Sequence, residues 1–466
     1  MFFKQLYLGC LAQASYLIGS KGEAAVVDPR RDVEDYLDEA RREGLTIRHI
    51  IETHLHADFV SGHRELAART GARIYIGAKA GARFDHVPVR DGDEISFGDL
   101  TLRFLETPGH TPESVCVLVT DHAESEQPTA VLTGDTLFIG DVGRPDLLGA
   151  KISPDELAGA LYDSLHGKLL ALPDSVRVFP AHGAGSLCGR NISRETSSTI
   201  GEQRRFNYAL KPMTREQFVR TVTADLPEAP DYFRRDVEIN RRGAGALRDL
   251  APMAGLAPDR VEELLRSGAT ALDVRDAAEF GKGHVPGSVH IGLSGQFASW
   301  AGAVLPADAP IVIVARDAES AAEARMRLAR VGIENVAGFL EGGVGAWRES
   351  GRAAATTEQI DVAELRRRIG ARSAWLLDVR RPAERENARI PDAVAVPLNE
   401  LARRTAELDR AAPVATICAG GYRSSIAASV LERAGFSRIA NVVGGMDEWT
   451  SSGLEVVTGD EAPDAG

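Results

Sequence analysis

The 466-residue sequence predicts an α/β protein of three domains. Three observations predict it: short apolar runs alternating with helical patterns in the first half, a change of composition near residue 250, and a motif set that occurs twice beyond it. Residues 24–27, 49–52, 73–76, 100–107, 115–120, 131–133 and 176–180 read as strands, and 33–43 and 61–70 as helices. Polar residues gather at the C-terminal ends of these strands, which places a site in loops at one edge of a layered α/β structure.

From 234 to 257 the sequence turns charged and then Gly/Ala-rich, ending in Leu256-Ala257-Pro258-Asp259, which reads as a linker followed by a helix start. A first domain over 1–250 is expected. Beyond it, Ala271-Leu272-Asp273-Val274-Arg275 with Glu279 returns 105 positions later as Leu376-Leu377-Asp378-Val379-Arg380 with Glu384. One copy closes on Gly342-Gly343-Val344-Gly345-Ala346-Trp347 and the other on Gly444-Gly445-Met446-Asp447-Glu448-Trp449. The repeat is too long for a solenoid unit, so two homologous small domains are expected, over 256–355 and 356–460. The acidic tail after Val457 is expected to be frayed.

A composition of 44% hydrophobic and 26% charged residues lets each domain bury a core. The formal net charge of −13 argues against nucleic acid or an anionic membrane surface as the main partner. Four scattered cysteines, at 10, 116, 188 and 418, do not make a disulfide framework. No stretch approaches the ~18 apolar residues of a membrane span, and no secretory leader opens the chain, so a cytoplasmic protein is expected.

The strongest chemical signal is Thr53-His54-Leu55-His56-Ala57-Asp58-Phe59 directly after an apolar strand. Thr107-Pro108-Gly109-His110-Thr111, Gly134-Asp135-Thr136 and Pro180-Ala181-His182-Gly183 follow in order, each at a strand end. Imidazoles and carboxylates delivered by several strand-end loops suit a divalent cation with positions open to substrate.

These motifs resemble the metallo-β-lactamase superfamily over about the first 240 positions, in the branch of glyoxalase II and the persulfide dioxygenases. That resemblance implies an αββα sandwich. The family motif H-x-H-x-D-H ends in a histidine for a second metal, and Phe59 stands at that position, which disfavours a two-zinc hydrolase. By the dioxygenase pattern His54, His110 and Asp135 form a two-His, one-carboxylate triad for Fe(II), one per chain. The same pattern leaves His56, Asp58 and His182 in the site as residues that orient ligands or water through hydrogen bonds. The segments around Arg144 and Cys188 also match this branch. Arg144 is open to two readings, holding an anionic substrate tail or pairing with a carboxylate at the core edge, and Cys188 is either a loop packing residue or a thiol near the substrate.

Near the C-terminal end, Thr416-Ile417-Cys418-Ala419-Gly420-Gly421-Tyr422-Arg423 follows an apolar strand and precedes a helical stretch over 426–433. A thiol at a strand-to-helix turn faces backbone N–H groups and the positive end of the helix, which favour the thiolate and stabilise persulfide or thiosulfate anions. The segment resembles the rhodanese active loop, C-x-x-x-x-R, with Cys418 as an exposed sulfur-carrying nucleophile and Arg423 as a fixed positive charge. The resemblance implies an α/β domain with a mostly parallel sheet. Where the family often has G-H-I-P-G-A, this module has Ala388-Arg389-Ile390-Pro391-Asp392-Ala393, which bears on loop detail. The middle module keeps Gly283-His284-Val285-Pro286-Gly287-Ser288 but carries Ala315 at the cysteine position and Ser320 at the arginine position. It reads as a pseudo-rhodanese that packs between its neighbours or shapes an assembly.

Together the motifs are similar to persulfide dioxygenase–rhodanese fusions. The resemblance implies oxidation of a small-molecule persulfide of glutathione, coenzyme A or a similar thiol by O₂, giving sulfite, with thiosulfate made or used at Cys418. A homodimer or homotetramer is the expected assembly. The alternative is a thioester hydrolase of the glyoxalase II type.

Overall fold

The computed structural model describes residues 1–147, 152–224, 226, 229–250, 252–306 and 308–459. The chain forms two compact units, Met1–Ala251 together with Ala329–Gly332, and Pro252–Leu328 together with Ile333–Gly466.

The first unit holds two six-stranded sheets. One is built in chain order from β1 (Phe2–Leu8), β2 (Gln13–Ser20), β3 (Glu23–Val27), β4 (Thr46–Glu52), β5 (Arg73–Gly77) and β6 (Val87–Val89). The other contains β7 (Glu94–Phe97), β8 (Leu100–Glu106), β9 (Val115–Asp121), β10 (Ala130–Gly134), β11 (Arg177–Pro180) and β12 (Ser198–Thr199), ordered β12-β11-β10-β9-β8-β7. Helices α1 (Glu34–Arg42) and α2 (His63–Thr70) accompany the first sheet. Helices α3 (Pro154–Gly167), α4 (Ile200–Phe206), α5 (Arg215–Thr223) and α6 (Tyr232–Arg242) follow later in the chain.

The burial pattern explains the layering. Tyr16, Ile18, Val27, Ile51 and Tyr75 of the first sheet pack against Leu102, Phe104, Val117, Val119 and Leu132 of the second. The opposite faces are equally apolar: Leu17, Val26, Ile50 and Ile74 meet Tyr36, Ala40 and Leu66, while Cys116, Leu118, Val131 and Val178 meet Leu161, Leu165 and Phe218. Strands buried on both faces read as continuous apolar runs, and each large side chain so buried contributes about 1.5–3 kcal/mol. The result is the expected αββα sandwich. Sequence patterning found its central strands but not the β1–β2 hairpin at the sheet edge, where β1 is half-exposed.

The segment read as the start of a linker at 234 lies instead inside helix α6, whose Tyr232, Phe233, Asp236 and Asn240 are buried at helical spacing. Position 251 of that linker, and positions 460–466 of the tail expected to fray, lie outside the described residues.

The second unit contains two five-stranded parallel sheets of one topology. The first has β13 (Gly255–Leu256), β14 (Thr270–Asp273), β15 (Val289–His290), β16 (Ile311–Val314) and β17 (Val336–Leu340), ordered β13-β17-β16-β14-β15. The second repeats it with β18 (Glu358–Ile360), β19 (Trp375–Asp378), β20 (Val394–Ala395), β21 (Val414–Ile417) and β22 (Ile439–Val442), ordered β18-β22-β21-β19-β20. Helices α7 (Pro258–Arg266), α8 (Ala277–Lys282), α9 (Phe297–Val304), α10 (Ala318–Ala329) and α11 (Gly343–Glu349) belong to the first copy. The second has α12 (Val362–Gly370), α13 (Pro382–Asn387), α14 (Leu398–Arg404), α15 (Tyr422–Arg433) and α16 (Gly445–Ser451).

The repeated motifs now have physical reasons. Each Gly-Gly pair starts a helix with both residues at positive φ, 72° and 58° in one copy and 75° and 58° in the other. The tryptophan two-thirds along each of these helices is buried and donates Nε1–H to a backbone carbonyl six residues on, Trp347 to Ala353 and Trp449 to Glu455, both at 2.9 Å.

Candidate active sites

In the first unit, the C-terminal ends of β3, β4, β8, β10 and β11 open onto one edge of the sandwich and deliver Asp28, His54, His110, Asp135 and His182. Ligand atoms of His54, His110 and Asp135 lie within 4.8 Å of one another, and all three residues are buried. Asp135 Oδ2 is 3.4 Å from His110 Nε2 and 3.8 Å from His54 Nε2. Gly134 is at φ 51°, and a Cβ there would lie 2.6 Å from Thr53 Oγ1, so glycine lets the Asp135 loop approach the His54 loop.

Neighbouring groups fix which ring nitrogens face the centre. Thr53 donates its backbone N–H and its hydroxyl to Asp28, at 2.7 and 2.9 Å. The hydroxyl oxygen therefore accepts from His54 Nδ1–H, 3.0 Å away. His110 Nδ1–H donates to the Arg144 carbonyl at 2.9 Å. Both rings thus turn a bare Nε2 toward Asp135. Burial and the adjacent imidazoles hold His54 well below the usual histidine range, and burial also lowers His110 against the pull of Asp135.

His54 Nε2, His110 Nε2 and both Asp135 oxygens meet no hydrogen-bond partner among the described residues. A buried unpaired polar atom costs about 1–3 kcal/mol, so four converging ones fit a cation-binding role. The donor set, two imidazoles and a carboxylate, fits Fe(II).

The remaining predicted residues surround this cluster. His56, Asp58 and His182 also form a compact set with ligand atoms within 4.8 Å of one another, His182 Nε2 lying 3.4 Å from Asp58 Oδ2. His56 Nε2 is 3.1 Å from Asp28 Oδ1 and 3.5 Å from Glu52 Oε2. Burial opposes its charge, but these carboxylates push it up to about 9. The Phe59 ring is fully buried and packs 4.3 Å from the His56 ring. Cys188 Sγ shares a 4.8 Å cluster with Asp135 and His182, which sets the thiol beside the centre, and burial pushes it well above the usual thiol range. Arg144 is buried and makes a bidentate pair with Asp146 at 2.6 and 2.7 Å.

Sequence reasoning missed Asp28, Glu52 and Glu113. Asp28 follows the apolar run of β3 and sits at φ 52°, and Glu52 ends β4. An acid closing an apolar strand was the available signal. Glu113 accepts the Leu55 N–H at 3.1 Å between the two histidines of the first motif, and burial raises its carboxyl pKa.

In the second unit, Cys418 lies between β21 and α15, as expected of a strand-to-helix turn. It is buried, 1% exposed, rather than open to solvent. Met446 N–H donates to Cys418 O and Asp447 N–H to Ala419 O, so the loop backbone is tied to the start of α16. Gly421 N–H donates to Cys418 Sγ at 3.1 Å. The Arg423 guanidinium is held by Glu384, so its charge is met rather than free. In the other copy Ala315 follows β16 as Cys418 follows β21, Ser320 lies in α10, and Glu279 pairs instead with Arg316, the residue next to Ala315, at 2.6 Å.

Comparison with known proteins agrees with both halves. Residues 8–182 match the family model of the metallo-beta-lactamase superfamily, and 257–350 and 361–452 each match the rhodanese-like domain. The chain is 32% identical over 233 residues to the mitochondrial persulfide dioxygenase ETHE1 of Bos taurus, covering 49% of this chain and 83% of that protein. It is 30% identical over 246 residues to a hydroxyacylglutathione hydrolase of Polaromonas, covering 47% of this chain and 89% of that one. It is also 33% identical over 258 residues to a beta-lactamase hydrolase-like protein of Agrobacterium fabrum, covering 48% of this chain but only 55% of that protein's length. Among solved structures, a metallo-beta-lactamase from Staphylococcus aureus subsp. aureus COL superposes with a TM-score of 0.66 at 33% identity, over 72% of this chain and 98% of that one. Among the described residues no helix is long and apolar enough to cross a membrane. The chain belongs to the metallo-beta-lactamase superfamily and carries two rhodanese-like domains behind its metallo-beta-lactamase domain.

Proposed function

We propose that this chain oxidises the outer sulfur of a low-molecular-weight thiol persulfide with O₂ at one Fe(II) per chain, and that Cys418 couples this oxidation to sulfur transfer in sulfide detoxification. The observation that supports it most is the convergence of His54 Nε2, His110 Nε2 and the Asp135 carboxylate, buried and without hydrogen-bond partners among the described residues. Similarity to the persulfide dioxygenase ETHE1, together with two rhodanese-like domains, points the same way.

The overall reaction balances as R–S–SH, O₂ and water giving R–SH, sulfite and two protons; the outer sulfur loses four electrons and O₂ gains them. His54, His110 and Asp135 would hold the iron, which when bound would pass electrons from the persulfide sulfur to O₂ and serve as a common template for the two. The Thr53 hydroxyl and the Arg144 carbonyl keep the two imidazoles in the ligating tautomer. The Phe59 and Phe138 rings, beside His56 and His182, line the surroundings with apolar surface that excludes competing water.

At the second site the Cys418 thiolate attacks the outer sulfur of thiosulfate, the bond to the sulfite sulfur breaks, sulfite leaves with the electron pair, and a cysteine persulfide remains. The reverse reaction makes thiosulfate. Gly421 N–H, aimed at Sγ, stabilises the anionic sulfur on either path. Glutathione, coenzyme A or a similar thiol carries the persulfide in this reading, in a cytoplasmic homodimer or homotetramer.

A second reading, a two-zinc thioester hydrolase, is favoured by the His56, Asp58 and His182 cluster and by similarity to a hydroxyacylglutathione hydrolase. Phe59 stands against it. Metal analysis of protein purified under low oxygen separates the two: about one iron per chain supports the dioxygenase, and two zincs the hydrolase.

A further inference from the structure

The cysteine-less rhodanese copy grips the helix that carries the Cys418 loop of the other copy. Tyr422, Ser425, Ser429, Glu432 and Arg433 all lie on α15, and the spacing from Tyr422 through Ser425 and Ser429 to Arg433 marks one helix face. Every one of them meets the segment from His284 to Gly295. Tyr422 donates its hydroxyl to Gly292 O at 2.9 Å, and a Cβ on Gly295 would sit 3.4 Å from the tyrosine ring. His290 N–H donates to Ser429 Oγ at 2.9 Å, and His290 Nδ1 lies 2.8 Å from Ser425 Oγ. His284 Nε2 pairs with Glu432 Oε2 at 2.9 Å, and Arg433 donates to Gly287 O at 3.2 Å.

The neutral His290 ring has one hydrogen-bond arrangement open to it. Its Nε2 faces the Arg275 carbonyl at 2.9 Å, which only accepts, so Nε2 carries the hydrogen and Nδ1 accepts from the Ser425 hydroxyl. Burial lowers the pKa of His290, in keeping with this neutral form. His290, Ser425 and Ser429 are all at most 1% exposed, so this polar face of α15 has its partners in the other copy and not in water.

We propose that His290 and the Gly292 carbonyl of the cysteine-less copy are positioning groups for sulfur transfer at Cys418, fixing the first turn of α15 and with it the Gly421 N–H aimed at the sulfur. The proposal rests on the reading of Cys418 as the sulfur carrier. The mechanical link is short: Gly421 immediately precedes α15, and Tyr422 is its first residue. A buried helix held at its first, second and third turns by a rigid neighbouring loop presents its N-terminal amides in one place, which is the preorganisation that stabilises a developing anion.

The test uses the full chain, with thiosulfate as sulfur donor and cyanide as acceptor, and compares Tyr422→Phe, His290→Ala and His290→Asn with wild type and Cys418→Ser. Tyr422→Phe and His290→Ala are expected to lower kcat by roughly tenfold with KM for thiosulfate changed less than about twofold, and His290→Asn, whose Oδ1 replaces the Nδ1 acceptor, to recover most of the loss. Alkylation of Cys418 by iodoacetamide, followed by mass spectrometry, should slow about threefold in the first two variants and recover in the third. Wild-type turnover and alkylation rates in Tyr422→Phe and His290→Ala, or a loss that only follows the melting temperature and is not recovered by asparagine, would overturn the proposal. Absence of Cys418-dependent turnover in wild type would instead overturn the sulfur-carrier reading, and the alkylation rates would still decide the positioning role.

Discussion

The Arg423 guanidinium meets the Glu384 carboxylate in a two-point pair, with distances of 2.7 and 2.6 Å, five residues beyond Cys418. Glu384 belongs to the motif that recurs as Glu279, and its partner there is Arg316. The glutamate is shared by both copies but its arginine is not: Arg316 directly follows Ala315, whereas Arg423 lies in α15, and the pair beside Cys418 fixes where the positive charge lies at that loop.

Replacing Glu384 by glutamine should therefore lower sulfurtransferase kcat while leaving oxygen uptake at the first unit unchanged. Burial disfavours the Glu384 carboxylate, but Arg423 outweighs it and holds the group below its ordinary value of 4.5. A carboxyl whose folded pKa is depressed stabilises the fold above its unfolded pKa and loses that contribution as pH falls through the folded value. Wild type should thus lose roughly 1 kcal/mol relative to Glu384→Gln only below about pH 4.5, a modest figure because the carboxylate is partly exposed. Denaturant melts of both proteins across pH 3–7, about four pH units, measure it.

Asp28→Asn should weaken metal affinity about 10–100-fold, because it disturbs the acceptor that orients Thr53 and through it His54. Asparagine tolerates the positive φ at this position, so folding should survive. Competition with a calibrated chelator reads the affinity; an unchanged value would show that the Thr53 link does not orient the ring.

Phe59→His restores the histidine of the two-metal pattern beside His56, Asp58 and His182. The variant should take up a second zinc when reconstituted, at about 2–3 kcal/mol of stability for the lost buried ring. Metal content by mass spectrometry of the folded variant decides whether Phe59 is what limits occupancy.

Ala315→Cys should not create a second sulfur-transfer site in a Cys418→Ala background. Only Arg316 and Asp317 separate Ala315 from α10, against three residues at Cys418, and Asp317 already accepts the Ser320 N–H. No glycine offers its N–H to a sulfur there. Cyanide-dependent turnover above background would contradict this.

Much of the architecture was legible because it depends on patterns that only a buried environment permits. The apolar runs of β9 and β10, buried on both faces, and the buried end of β4 announced a layered sheet, and the repeated Asp-Val-Arg and Gly-Gly motifs announced two copies of one small domain. The half-exposed β1 hid because the adjacent Lys4 and Gln5 break its apolar run without giving an alternation, and α6 hid because its exposed face is rich in arginine. At the site, the residues named from sequence converge because the strands they follow, β4 of one sheet and β8, β10 and β11 of the other, end at one edge of the sandwich. Glu113 was not legible, since its role is a contact with a backbone N–H group 58 positions away, and Asp28 showed only as an acid closing an apolar strand, its bond to the Thr53 N–H 25 positions on being unreadable. The bidentate partner of Arg144, only two residues away, and the burial of Cys418 likewise depend on packing that no local pattern records.

Oxygen uptake by the anaerobically iron-loaded full chain on addition of glutathione persulfide or coenzyme A persulfide, with sulfite and thiosulfate quantified, tests the central claim most directly. Rapid uptake with sulfite release, abolished in His54→Ala, is expected, together with thiosulfate that depends on Cys418. No uptake with either persulfide, alongside hydrolysis of a glutathione thioester by the zinc-loaded protein, would contradict it and establish the hydrolase.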